Sequence, residues 1–251
     1  MAKSIVFIHG IGLGKWMFEE YFVPWYESQG YEVHALDLPG HSPQSTASER
    51  QGITLDICVQ YVADYLSQNV HSPFVLVGMS MGGAICQRLL AGGFADPNLR
   101  GVVLLSSVPP CHNLTFSLRL FRRLAQSNSE VLIDFFTDKV NSKLMFAPET
   151  LSSLSEQQIQ GYLDRIVKSF PMLEFEIFFK DLLSKPFTPP CPMKIIGGED
   201  DLLFTPDVIE FTASYYSKKA EILPGLGHLI PFETNYQRGI DAIDRFLTEV
   251  I

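Results

Sequence analysis

Short runs of continuously apolar residues recur along the chain, separated by segments in which apolar residues return every three or four positions. The runs are too uniformly apolar for a half-exposed sheet, which predicts parallel strands covered on both faces. We assign strands to 4–8, 32–36, 73–78, 102–106, 193–197 and 219–223. Alternation of such strands with amphipathic helices is typical of a doubly wound α/β sheet.

Two helical segments between or after these strands have a well-defined apolar face. In 55–68 that face carries Leu55, Val59, Val62 and Leu66. Thr54 precedes this segment and is a suitable N-cap. The segment 236–247 repeats the same period at the end of the sequence, so we expect both to pack on the sheet.

The alternation of strands and helices stops between about residues 110 and 190. That segment opens with VPPCHN, closes with KPFTPPCP, and has helical patterns over 114–125, 129–139, 155–168 and 173–184. Prolines at both borders and the lack of a strand pattern inside predict a helical insertion over the carboxyl edge of the sheet. We therefore expect a core domain made of 1–109 and 191–251, and a cap domain at 110–190.

Charge and hydropathy narrow the expected partners. The 251 residues include 19 Lys and Arg against 28 Asp and Glu, a net charge of −9, and no basic run exceeds two residues. A nucleic acid or an anionic membrane would favour a basic patch, so neither is an expected partner.

No apolar stretch is long enough to span a bilayer, and the segment MAKSIVFIHG begins a strand pattern without the features of a leader peptide. We expect a cytoplasmic protein with no membrane insertion.

Cysteines and histidines do not form a metal-binding pattern. The four cysteines, Cys58, Cys86, Cys111 and Cys191, are scattered and include no Cys-x-x-Cys pair. We expect reduced thiols, no metal site and no cofactor.

The stretch LVGMSMGGAI, residues 76–85, interrupts an apolar strand with one serine enclosed by glycines. Ser80 follows the strand directly and precedes a helical pattern, with Gly78 and Gly82 completing G-x-S-x-G. At a strand-to-helix turn this pattern indicates a nucleophile elbow, where the turn strains the serine backbone and the glycines leave room for neighbouring elements. The hydroxyl would then lie at a helix N-terminus, where free N–H groups favour developing negative charge.

A serine hydroxyl needs a base and the base needs an orienting carboxylate. His228, in PGLGHLIPF after the last predicted strand, is the preferred base, and His112 at the start of the insertion is the alternative. The carboxylate should follow an earlier strand, where GGEDDLLFTP supplies two aspartates. The spacing from Gly198 favours Asp201, with Asp200 as the alternative.

With these residues in place, the sequence resembles the α/β-hydrolase superfamily over essentially the whole chain. The segments FIHGIG, LDLPGHS, GMSMGG, GGEDDLLFTP and PGLGHL are similar to that superfamily's motifs and occur in its order. The resemblance implies that Ser80 is the nucleophile, His228 the base and Asp201 the acid.

The resemblance also implies roles for loop residues. An oxyanion hole would be formed by the backbone N–H groups of Ile11 and Met81, while His9 and His41 would shape loops and take no catalytic part. Members usually begin with an antiparallel hairpin before the strand that leads to His-Gly. We therefore expect a trimmed, six-stranded, all-parallel sheet in place of eight strands. HGIG also differs from the three-glycine motif of esterases that accept tertiary alcohols, which favours ordinary primary or secondary esters.

Serine at the elbow favours acyl transfer, whereas an aspartate there would suggest dehalogenation or epoxide opening. We expect cleavage of a small carboxylic ester or thioester through an acyl-enzyme, with a small ester-like molecule as the partner. The alternatives are a ligand-binding scaffold with little turnover, or a C–C bond hydrolase, hydroxynitrile lyase or acyltransferase that uses the same triad. The sequence makes no prediction of oligomeric state.

Overall fold

The computed structural model describes residues 3–137 and 139–251. Within them the strands are β1 Ser4–Ile8, β2 Glu32–Ala35, β3 Phe74–Met79, β4 Leu99–Leu105, β5 Met193–Gly198 and β6 Ala220–Leu223. The helices are α1 Trp16–Glu19, α2 Phe22–Ser28, α3 Ala47–Gln51, α4 Leu55–Asn69, α5 Met81–Ala91, α6 Asn113–Ser127, α7 Ser129–Phe136, α8 Ser142–Met145, α9 Pro148–Ser153, α10 Glu156–Leu163, α11 Pro171–Phe179, α12 Pro206–Tyr215 and α13 Gln237–Val250, with a 3₁₀ turn at Ile230–Phe232.

The strands in the described part of the chain form one parallel sheet. Its order is β2-β1-β3-β4-β5-β6, and every neighbouring pair is parallel. The number of strands and their parallel pairing confirm the prediction of a trimmed, six-stranded, all-parallel sheet. β1 and β3 are buried along their whole length, because helices cover both faces of the sheet.

Each face of the sheet has its own apolar core. On one face α4, α5 and α12 pack against side chains such as Val6, Leu76 and Ile195. On the other face α1, α2 and α13 pack against the strand residues that follow these in sequence, such as Phe7 and Val77. Successive strand residues therefore enter opposite cores, which explains why the strand runs are continuously apolar.

Two local predictions are wrong in detail. β4 begins at Leu99, three residues before the expected start at 102, because Leu99 pairs with Phe74 ahead of a register shift. Exposed Arg100 interrupts the apolar run there and hides the start of the strand. In α4 the buried face carries Cys58, and Val59 is half-buried. A buried thiol acts as a small hydrophobic group, so it can take this core position.

Residues between β4 and β5 fold into α6–α11, and their described part contains no strand. The two later helices end sooner than predicted, at Leu163 and Phe179. After Leu163 the backbone turns to pair with the loop after β1, where Val167 N–H donates to Gly12 O at 2.7 Å. α8 and α9, of four and six residues, are too short to show a helical period and were not predicted. None of the helices in the described residues combines the length and apolar character that a membrane span requires.

Glycines allow three elements to meet at the end of β3. Ser80, between β3 and α5, has φ 55° and ψ −116°. A Cβ on Gly82 would collide with the Ile8 carbonyl oxygen, and one on Gly78 would lie 2.7 Å from the Cys86 sulfur and closer still to the Gly82 carbonyl. β1, β3 and α5 can therefore approach this closely only with glycine at both positions.

Gly82→Ala should destabilise the protein by about 2–3 kcal/mol, because the new methyl group overlaps a backbone oxygen that cannot move freely. This cost exceeds the gain in helix propensity from glycine to alanine. Urea unfolding followed by circular dichroism measures the change.

Gly161→Ala is the matched control. Gly161 lies in α10, and a Cβ there would meet no atom within 4 Å. It should stabilise the protein by about 0.5–1 kcal/mol. Equal stability of wild type and Gly82→Ala would contradict the packing argument.

Candidate active site

The carboxyl ends of the parallel strands meet at one edge of the sheet. Ile8 of β1 is opposite Gly78 of β3, and Met79 of β3 is opposite Leu105 of β4. β2 lies on one side of β1 and β3 lies on the other side. The connections that follow β1 and β3 therefore run in opposite directions along the sheet. In open α/β sheets the crevice at such a point is where ligands bind.

Three predicted residues come together at this edge. His228 Nε2 lies 3.1 Å from Ser80 Oγ, and His228 Nδ1 lies 2.8 Å from Asp201 Oδ2. Their exposed fractions are 7% for Ser80, 1% for Asp201 and 3% for His228. Because the carboxylate takes the Nδ1–H, Nε2 is left free to accept the serine proton.

Backbone donors fix the Asp201 carboxylate. Its Oδ1 accepts the N–H of Leu203 at 2.8 Å and that of Phe204 at 2.9 Å, which leaves Oδ2 directed at the imidazole. The Phe204 ring also packs edge-on against His228, with centroids 5.5 Å apart. The loop after β5 therefore orients both the carboxylate and the imidazole.

The two alternatives left open by the sequence lie outside this arrangement. Asp200 is half-buried and donates its N–H to Leu226 O, and its carboxylate has no hydrogen bond to the imidazole. Burial raises the pKa of the Asp200 carboxyl. His112 is exposed ahead of α6, and its ring packs edge-on against Phe211 at 5.5 Å.

The backbone N–H groups implied for an oxyanion hole are free of other acceptors. Neither Ile11 nor Met81 donates its N–H to another group in the described residues. Met81 begins α5, and the first N–H groups of a helix have no partner within it. The loop after β1 lies against the serine, since a Cβ on Gly10 would be 3.0 Å from Ser80 Cβ.

His9 holds this loop in place. Its Nδ1–H donates to Gly10 O at 2.7 Å, and its Nε2 accepts the Leu38 N–H at 3.0 Å, which requires a neutral ring. Burial lowers the pKa of His9 to about 3, and the neighbouring His41 acts in the same direction. His41 stacks on Phe170 with ring centroids 4.2 Å apart. Both rings therefore brace loops, in agreement with the resemblance.

A cavity of about 330 Å³ lies beside two loops of the site, since its lining includes Ile11 after β1 and Leu203, whose N–H binds Asp201. The core contributes Ile11, Gly12 and Leu203 to its wall, and the rest comes from α7, α8, α11 and the segments beside them. Five phenylalanines line it: Phe135, Phe136, Phe170, Phe178 and Phe179. A second cavity, of about 440 Å³, is lined by residues 186–189, 191 and 215–218, which belong to neither of these loops. The first cavity is therefore the candidate substrate site.

One buried acid near this site, Glu233, was not predicted from the sequence. Glu233 is 1% exposed, lies five residues after His228, and binds the backbone of the same loop through a 2.8 Å hydrogen bond from Gly227. Its signal in the sequence is a single charge that follows the apolar run LIPF. Elsewhere in the described residues, no group of three or more His, Cys, Asp or Glu is arranged to hold a metal ion.

Comparison with known families agrees with the fold. Residues 5–242 match the model of the alpha/beta hydrolase family. The match covers nearly the whole chain, so the chain belongs to the alpha/beta hydrolase family.

Individual relatives are distant. The chain is 20% identical to mouse Epoxide hydrolase 3 over 90% of its own length and 66% of the mouse protein, so it spans about two thirds of that relative. It is 22% identical to Putative esterase/lipase 2 of Mycoplasma pneumoniae, over 90% of this chain and 82% of that protein. The esterase of Exiguobacterium antarcticum has a similar structure, with TM-score 0.76 and 17% identity over 98% of this chain and 92% of that one. At an identity this low, the structural similarity shows a common fold alone.

The buried neutral His9 should make stability depend on pH. Its pKa is about 3 in the folded chain and about 6.5 when unfolded, so its contribution is complete above pH 6.5 and is lost as pH falls toward 3. His9→Gln should therefore be less stable than wild type at pH 7, and the difference in unfolding free energy should shrink by about 2–4 kcal/mol by pH 4. Urea unfolding at both pH values measures it. A difference that does not change with pH would contradict the neutral, buried state of His9.

Proposed function

We propose that this protein is a serine hydrolase that cleaves a small carboxylic ester or thioester through an acyl-enzyme. The observation that carries the proposal is the continuous hydrogen-bonded chain from Asp201 through His228 to Ser80, at the buried edge of the sheet. A partly exposed serine bonded to a neutral imidazole, itself bonded to a carboxylate, is the arrangement that activates a hydroxyl for attack on a carbonyl.

Each group has one task in the proposed reaction. Ser80 Oγ attacks the carbonyl carbon while His228 Nε2 takes the hydroxyl proton. The N–H groups of Ile11 and Met81 bind the oxyanion that forms. As the intermediate collapses, the imidazolium returns the proton to the leaving alcohol or thiol. Water then attacks the acyl-enzyme with the same base, which releases the acid and restores the serine.

The strained turn and the carboxylate prepare this reaction. The positive φ of Ser80 holds the hydroxyl at the start of α5, beside the free N–H of Met81. Asp201 keeps the imidazole in the tautomer that accepts at Nε2, and its charge stabilises the imidazolium of the intermediate. The free enzyme therefore already holds these groups in the positions that the reaction needs.

We further propose that residues 110–190 form a cap over a core made of 1–109 and 191–251. Helices α7 and α11 line the cavity together with Ile11 and Leu203 of the core, so a bound substrate would lie between the two parts. The volume is at the lower end of the range for small-molecule sites. The five phenylalanines in the wall favour an apolar acyl or alcohol group, and two of them, Phe136 and Phe179, are exposed.

The serine argues against the reaction named for the mouse relative. Epoxide opening through an alkyl-enzyme ester would favour an aspartate at the elbow, and this chain has Ser80. C–C bond hydrolases, hydroxynitrile lyases and acyltransferases can use the same triad, and so can a ligand-binding scaffold with little turnover. Ester hydrolysis is preferred because it requires only the triad, the two N–H donors and water.

Ser80→Ala should reduce kcat for p-nitrophenyl butyrate by about 10⁶-fold without unfolding the protein, and His228→Ala should cost about as much, because triad members act as a unit. Asp201→Asn should cost about 10⁴-fold, because the imidazole is misoriented but still present. For the wild type, initial rates measured between about pH 5 and pH 9 should rise with pH, because the neutral imidazole is the form that acts as the base.

Asp200→Asn is the matched control and should retain nearly wild-type rates, since that carboxylate does not contact the imidazole. Labelling of Ser80 by a fluorophosphonate probe provides a second readout. A Ser80→Ala protein with wild-type activity would contradict the proposal. A wild type inert toward all esters and the probe would favour the ligand-binding scaffold.

Ile166→Trp should discriminate between esters by chain length. Ile166 lines the cavity and lies against Gly12, so a larger side chain removes space for a long acyl group. The kcat/KM for p-nitrophenyl octanoate should fall at least about tenfold, while that for the acetate should change less than about threefold. Leu118→Trp, on the exposed face of α6 outside the cavity, is the control and should leave both values unchanged. Equal losses for both esters would contradict the assignment of this cavity.

A further inference from the structure

Glu233 joins two parts of the chain that are far apart in sequence. Its Oε1 accepts the Gly227 N–H at 2.8 Å and the Ala147 N–H at 3.0 Å. Gly227 directly precedes His228, whereas Ala147 precedes α9 of the helical insertion. One carboxylate oxygen therefore holds the imidazole loop and the insertion together.

Neighbouring contacts make this junction rigid. Leu229 donates its N–H to Met145 O at 2.9 Å, so the loop is bonded to the insertion directly after His228 and through Glu233 before it. A Cβ on Gly227 would lie 2.6 Å from Glu233 Oε1 and as close to the Ala147 backbone. The position of the imidazole thus depends on packing against the insertion.

The carboxylate belongs to the same buried cluster as the triad acid. Burial raises the pKa of Glu233 to about 7, and the charge of Asp201 acts in the same direction, while the Thr150 hydroxyl and the two N–H groups act against it. Asp201 after β5 is the charged group that acts on it, His228 lies on the same loop, and Glu149 of α9 and Arg238 of α13 lie beside Gly225 of that loop. Glu149 is exposed and accepts a hydrogen bond from Asn235, and Arg238 donates to Pro224 O.

We propose that Glu233 is a positioning residue that ties the His228 loop to the helical insertion and places a second carboxylate behind the Asp201–His228 pair. The role in turnover rests on the proposed function, whereas the effect on the imidazole does not. Oε1 supplies the two backbone contacts. The ionised carboxylate adds a negative charge that favours protonated His228, the form the imidazole takes during acyl transfer.

The charge of this residue is itself controlled by pH. Near neutral pH the carboxyl passes from neutral to ionised, so the second negative charge is present in alkaline solution and absent in acid. Protonation adds a hydrogen to the carboxyl while Oε1 still accepts the two N–H groups. Geometry and charge are therefore separable by substitution.

Glu233→Gln separates them, because the amide oxygen can accept both backbone N–H groups while the charge is lost. We expect the pKa of the His228 ring to fall by at least about 0.5 unit in this variant. The measurement is a ¹⁵N-edited NMR titration of the histidine rings, in which the His228 signal is identified by its absence in His228→Ala. Since it needs no substrate, it tests the inference even if the protein hydrolyses no ester.

Glu149→Gln is the matched control, because it removes one negative charge from an exposed carboxylate of the same region. It should leave the His228 pKa unchanged. Glu233→Leu tests the geometric part: it leaves both buried N–H groups without an acceptor, so it should lower kcat for p-nitrophenyl butyrate at least about tenfold below Glu233→Gln.

The acid limb of the kcat/KM profile for the same ester should move to lower pH in Glu233→Gln by the amount that the ring titration gives. A His228 pKa equal in wild type and Glu233→Gln, or an equal shift in Glu149→Gln, would overturn the charge role. If Glu233→Leu folds with the turnover of Glu233→Gln, the positioning role is wrong. Absence of ester turnover with a shifted ring pKa would refute the proposed function and leave the inference on the imidazole standing.

Discussion

The close approach of α5 to the end of β1 is the constraint on which the rest of the site depends. Because Gly82 has no side chain, the first turn of α5 lies against the Ile8 carbonyl. This contact forces the chain to reverse sharply at Ser80, which takes a positive φ that a serine rarely adopts. The hydroxyl, the free N–H of Met81 and the loop after β1 then converge at one point of the sheet edge. Strain in one residue is thus compensated by the packing of three elements.

Asp201, His228 and His9 are buried polar groups of the site, and each has defined hydrogen-bond partners. Asp201 is almost fully buried, and its two oxygens divide their bonds between backbone donors and the imidazole. His9 uses both ring nitrogens to join two loops and therefore stays neutral. A buried group without such partners would carry a large desolvation cost. The same contacts that stabilise the fold therefore hold the imidazole and carboxylate in place before any substrate binds.

The helical insertion contributes to this edge from outside the sheet. Five of its phenylalanines line the cavity beside Ile11, and its backbone at Met145 and Ala147 is bonded to the imidazole loop or to the acid that follows it. The insertion thus lines the cavity on one side and contacts the His228 loop on the other. A change in how it packs would alter both the shape of the cavity and the position of the imidazole.

The sequence by itself determined the elements whose signal is local. Continuous apolar runs predicted the six strands, and glycine spacing around Ser80 predicted the strained turn, because strand burial and tight turns restrict which residues fit. The choice between Asp200 and Asp201, and between His112 and His228, rested on spacing and motif order. Only the tertiary structure shows which side chains meet, since that depends on the direction of loops after different strands. The short helices α8 and α9, the core position of Cys58 and the junction at Glu233 were also decided by tertiary packing. Each depends on partners distant in sequence, such as Ala147 and Gly227, that no local period or spacing can bring together.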